Sequence, residues 1–104
     1  MKKNKFSSIE DIIKIVKRGG MYILVDDESK HDEMENEGDL VISASDVNPK
    51  KINFMAKYAR GLICLAMDKN QSNKLGLTLA SPVNQSRSKT AFTFSIEAKK
   101  GVTT

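Results

Sequence analysis

Residues 35–39 read Glu-Asn-Glu-Gly-Asp, so Glu35, Glu37 and Asp39 place a carboxylate at every second position. In an extended chain these three side chains point to one side, because strand side chains alternate. Converging hard oxygens suit magnesium, which takes one or two carboxylates plus water and a phosphate-bearing substrate. Carboxylates also shuttle protons beside a reacting carbon. The run closes a longer acidic stretch. Residues 26–39 hold eight acids and one base, Lys30, in a chain of net charge +4. Elsewhere five acids face sixteen bases. Like charges this dense repel one another unless something cationic compensates. The bland alternative is a solvated acidic loop. Against it, Gly38 inside the cluster predicts a special backbone angle. The acids also lie between two apolar strand candidates, a place where sites in α/β sheets form. A calcium EF-hand loop fails: counted from Glu33, Gly38 falls correctly, but the closing position is Ala44 instead of a glutamate.

The elements that must position these groups are legible in outline. Ser7 and Glu10 have capping-box spacing, and Ile9, Ile12, Ile13 and Val16 follow at helical intervals. Gly19-Gly20 ends that helix, glycine being free to adopt the left-handed cap. Residues 21–25 (MYILV) predict a buried strand, and a second strand begins at Leu40 (LVISA). Asn48-Pro49 starts another helix, with a capping side chain and then a proline whose missing N–H is not needed. Ile52, Met55, Ala56 and Ala59 form its apolar face, and Gly61 closes it. Residues 62–67 (LICLAM) predict a buried strand, and residues 68–74 a short helix. The run SPVNQSRSKT is a polar, turn-rich loop. Residues 90–97 (TAFTFSIE) alternate strictly, with Phe92, Phe94 and Ile96 on one face and Thr93, Ser95 and Glu97 on the other. That pattern predicts a half-buried strand antiparallel to a neighbour. The fold class is therefore α/β (α+β), a mixed sheet covered by helices, without internal repeats or linkers.

A chain of 104 residues fits one small domain. Its 39% hydrophobic content is that of a globular chain. A core this small is marginal alone, which points to a partner subunit or more chain. No apolar run is long enough to span a membrane. The N-terminal lysines are followed by no apolar stretch, so no signal peptide is expected. Cys64 is the one cysteine, which leaves no internal disulfide or cysteine metal cluster. These features fit the cytoplasm. The basic excess is scattered, from Lys2 and Lys3 to Lys99 and Lys100, with no interleaved aromatics. A solvated surface explains it better than nucleic-acid binding does.

Four segments together, ILVDDE…ENEGDLVISA, INFMAKYARGLICLAM, SPVNQS and TAFTFSIEAKKGVTT, resemble the 3,4-dihydroxy-2-butanone-4-phosphate synthase family of riboflavin biosynthesis. The resemblance runs over nearly the whole chain in the family's order and covers the N-terminal portion of its domain, roughly half. It implies conversion of D-ribulose 5-phosphate to L-3,4-dihydroxybutan-2-one 4-phosphate and formate, with magnesium or manganese. It also implies a homodimer with active sites near the subunit interface. By resemblance Glu35 is the metal ligand and a substrate contact, and Asp39 contacts substrate. Glu37 and Cys64 are the catalytic candidates, and Thr103 and Thr104 border the substrate. The chemistry suits these types: a proton leaves the carbon beside the ketone, and the negative charge that develops on oxygen needs stabilisation.

The chain departs from the family in three places. A basic residue, usually arginine, precedes the family's ENEGD run, whereas here Met34 does. The loop is a few residues longer, so Lys30 or Met34 takes the arginine's place, depending on where the extra residues lie. Lysine supplies charge without a two-pronged contact, and methionine supplies neither. Tyr58-Ala59 replaces a His-Gly pair. The family's second half, with a histidine metal ligand, phosphate-binding groups and a further glutamate, has no counterpart among these residues. His31, the lone histidine, reads as a surface residue. The isolated chain is therefore expected to be inactive, and a degenerate non-catalytic relative acting as a binding module is the alternative. Plain structural readings stand beside the functional ones. Cys64 in an apolar run suits a buried small hydrophobe, Thr103-Thr104 suit a frayed end, and Arg87 and Lys89 suit a solvated loop.

Overall fold

The computed structural model describes residues 6–25, 38–81, 83 and 90–102. They fall in two compact units, Met1–Leu65 and Ala66–Thr104.

In the first unit, helix α1 spans Ile9–Lys17. Its cap is Ser8 and not Ser7: Ser8 is extended, and its hydroxyl accepts the Asp11 N–H at 3.2 Å. The acid at the third helical position is thus Asp11, with Glu10 one residue too early. Glu10 and Asp11 lie in the first turn and Lys14 and Lys17 in the last, which complements the helix dipole. The helix ends in a Schellman motif. The Gly19 N–H donates to the Val16 carbonyl at 3.0 Å and the Gly20 N–H to the Ile15 carbonyl at 2.9 Å. Gly19 takes φ +75°, and a β-carbon on Gly20 would lie 2.7 Å from Ile15 Cγ2. Both glycines are thus required, for different reasons.

Strand β1 (Tyr22–Val25) pairs antiparallel with β2 (Gly38–Val41). The register opposes Tyr22 to Val41, Ile23 to Leu40, Leu24 to Asp39 and Val25 to Gly38. The sheet of the described residues is this two-stranded ladder, which with the helices makes the α and β mixture expected. The second strand starts two residues earlier than Leu40, because the ladder extends through Asp39 and Gly38 to meet Leu24 and Val25. Gly38 does not have a left-handed angle, so the special backbone expected there is absent. Its lack of a side chain matters instead, since a β-carbon would lie 3.2 Å from Ile23 Cγ2.

A 3-10 turn at Ala44–Asp46 leads to helix α2, Pro49–Phe54. Asn48 caps α2 as expected, its Oδ1 accepting the Lys51 N–H at 2.8 Å. The helix does not run regularly to Gly61. It widens into a π-turn over Met55–Ala59, and the Arg60 N–H reaches back to the Met55 carbonyl at 3.2 Å. Arg60 then takes φ 58° and ψ −162° and Gly61 φ +72°, so the chain turns sharply out of the helix. Of the predicted apolar face, Ile52 and Met55 are half-buried, while Ala56 and Ala59 are exposed. Phe54 and Tyr58, one turn apart, make a tilted ring contact, their centroids 4.7 Å apart and their planes at 46°.

Residues 62–67 form no strand, contrary to expectation. A strand needs a ladder partner for its backbone groups, and among the described residues this segment has none. Its side chains are open from Leu62, at 78% exposure, to Ala66, and only Met67 is half-buried.

The second unit contains helix α3, Lys69–Lys74, capped by Asp68, whose Oδ1 accepts the Gln71 N–H at 2.8 Å. Gly76 at φ +68° closes it with a second Schellman pair, Gly76 N–H to the Asn73 carbonyl and Leu77 N–H to the Ser72 carbonyl, each 3.0 Å. The strand expected over residues 90–97 is reduced to one antiparallel pair, Leu79 with Thr93. Two bonds flank it: Ala80 N–H to the Phe92 carbonyl at 2.9 Å and Phe94 N–H to the Thr78 carbonyl at 3.2 Å. The antiparallel sense is as expected, but Phe92, Phe94 and Ile96 are all exposed. Of the loop 81–90, the Ser81 hydroxyl donates to the Val83 carbonyl at 2.7 Å; Arg87 and Lys89 lie outside the described residues.

No hydrophobic side chain is buried among the described residues. The apolar runs behave as half-covered surfaces: on α1, Ile12 and Val16 are half-buried, whereas Ile9 is 71% exposed. The strand of residues 21–25, expected to be buried, is exposed at Ile23, Leu24 and Val25.

Candidate functional site

The candidate site is built at the start of β2. Asp39 is its second residue, opposite Leu24 in the ladder and exposed. Opposed residues share a face, so Asp39 lies on the side that carries Leu24, Tyr22 and Val41. Gly38 presents its empty face to Ile23 and Val25, whose methyl groups occupy space that a larger side chain would claim. Ladder pairing thus fixes the backbone on both sides of Asp39. Its carboxylate has no hydrogen bond or ion pair among the described residues. It is a hard-oxygen group held on a strand, at the point where the ladder meets the connection from residue 26 to residue 37.

Glu35 and Glu37 belong to that connection and lie outside the described residues, as do Lys30, His31 and Met34. Thr103 and Thr104 also lie outside them. Among the described residues no three His, Cys, Asp or Glu side chains gather as a metal cluster. The donor chemistry nonetheless fits a hard divalent ion: a strand-borne carboxylate, with two more alternating before it in the sequence.

Cys64 lies in the irregular segment after Gly61, in the same compact unit as Asp39. It is exposed, so the buried-hydrophobe reading does not hold. The π-turn that precedes this segment continues α2 and lies beside β2. The element leading to Cys64 is therefore anchored to the strand that carries Asp39.

Lys51 is a positioning group that sequence reasoning missed. Its ammonium donates to the Gly19 carbonyl and to the Asp46 carbonyl, each at 3.0 Å. One side chain on α2 thus ties the exit of α1 to the 3-10 turn after β2. The cation sits where the α1 dipole is negative. In the sequence Lys51 is one of a scattered set of lysines, and no local pattern distinguishes it from Lys50.

Comparison with known proteins places these features in a family. The family model described as 3,4-dihydroxy-2-butanone 4-phosphate synthase matches residues 10–104. The protein of that name from Photobacterium phosphoreum is 47% identical over 98 residues, which cover 94% of this chain and 26% of the relative. Its counterpart from Pseudomonas syringae pv. tomato is 50% identical over 99 residues, covering 95% and 26%. The riboflavin biosynthesis protein RibBA of Aquifex aeolicus is 45% identical over 102 residues, covering 96% and 24%. The chain spans about a quarter of the length of these relatives. No solved structure matches it. A strand-borne aspartate that closes an ENEGD run, a GLICL segment and a match over nearly every residue have one common explanation: the chain belongs to the 3,4-dihydroxy-2-butanone 4-phosphate synthase family.

Proposed function

We propose that residues 1–104 are the N-terminal portion of a single domain that converts D-ribulose 5-phosphate to L-3,4-dihydroxybutan-2-one 4-phosphate and formate. The observation that carries this reading is the family match from residue 10 to residue 104. In the whole protein the reaction is that of a carbon–carbon lyase, run by a cytoplasmic homodimer with magnesium or manganese bound.

Glu35 would hold the ion and touch the substrate. When bound, that ion supplies positive charge to the substrate's carbonyl and neighbouring hydroxyl oxygens. Asp39, fixed by the ladder, accepts a hydrogen bond from a substrate hydroxyl and so orients the sugar chain. Glu37 takes the proton from the carbon beside the ketone and returns it later, the shuttle role that suits a carboxylate next to a developing enediol. Water then leaves, the carbon skeleton migrates, and a water adds back to the terminal carbonyl carbon, so that breaking its carbon–carbon bond releases formate with no net loss of water. Cys64 lines the site, and the Thr103 and Thr104 hydroxyls border the substrate.

Because the chain spans a quarter of its relatives' length, the isolated 104-residue chain is proposed to be inactive. The test is a coupled assay for formate release from ribulose 5-phosphate. The chain alone is expected to give little or no turnover. The chain joined to the remaining length of the Photobacterium relative is expected to turn over, and Glu35→Gln in that fusion to lose activity and magnesium binding together. Robust turnover by the chain alone would overturn the inactivity. A fusion that folds as a dimer yet releases no formate would favour the second reading, a non-catalytic relative kept as a binding module. That reading draws on Met34, which stands in sequence directly before the ENEGD run where the family has a basic residue.

A further inference from the structure

We draw no further inference here: the strongest candidate, the apolar face of α1 exposed at Ile9 and Ile13, carries nothing because nothing in the structure shows what covers it.

Discussion

Lys51 does its work with one charged group and two acceptors. The ammonium reaches the Gly19 and Asp46 carbonyls at the same distance, 3.0 Å, and hydrogen bonds from a charged donor contribute more than neutral ones. Lys51→Met keeps the aliphatic stem and removes the donor. It is expected to shift the carbonyl carbon resonances of Gly19 and Asp46 and to cost about 1–2 kcal/mol in the Photobacterium fusion. Lys50→Met serves as the control and should shift neither resonance. Asp39 invites a different test. It is exposed and has no hydrogen bond or ion pair among the described residues, so Asp39→Asn should leave the folding of the fusion unchanged, within about 0.5 kcal/mol. The proposed orienting role predicts that the same change cuts kcat/KM by roughly tenfold or more, about 1.4 kcal/mol of transition-state binding. Equal kcat/KM in the two proteins would remove Asp39 from the site.

At the scale of the elements, helix ends were easier to read than strands. Asn48-Pro49 caps α2 and Asp68 caps α3 through bonds that span three residues, so the whole signal sits within one turn of sequence. The α1 cap moved by only one residue, from Ser7 to Ser8, because two adjacent serines offer the same chemistry and only backbone geometry chooses between them. Gly19 and Gly20 ended α1 as expected. Gly19→Ala would force a β-carbon into the left-handed region at φ +75°, a cost of about 1–2 kcal/mol. Helicity of α1 and the exchange protection of the Gly20 amide should fall together. Strands were misread because their signal is half non-local. The LICLAM run has the right residues, but a strand exists only where another backbone accepts its hydrogen bonds. The special backbone expected at Gly38 failed for a related reason, since what crowds a side chain there is a methyl of Ile23 fifteen residues away. The π-turn at Met55–Ala59 left no sequence signal, its apolar spacing being that of an ordinary helix.

At the scale of the molecule, the described residues bury no hydrophobic side chain, and Leu62, Ile9 and Ile23 are among the most open. Burial of apolar area is the main favourable term in folding, and here it is largely unspent. The isolated chain is therefore expected to bind the dye ANS strongly and to unfold in urea over a broad, non-cooperative range. The fusion to the remaining length of a relative should suppress the dye signal and sharpen the transition. A narrow urea transition in the isolated chain, with no dye enhancement, would contradict this expectation. The candidate site was legible here only as a line of residues. Asp39 and Cys64 fall in one compact unit, whereas the remaining partners named for the reaction lie outside the described residues or outside this chain. The β1–β2 ladder carries one more consequence. Each strand has a partner on one side only among the described residues, so each turns an outer row of amide and carbonyl groups toward whatever comes next. Such a row accepts any extended backbone that arrives in register, a proper neighbouring strand or the same strand of another molecule. Whether a preparation of this chain stays clear or turns cloudy will depend on which of the two arrives first.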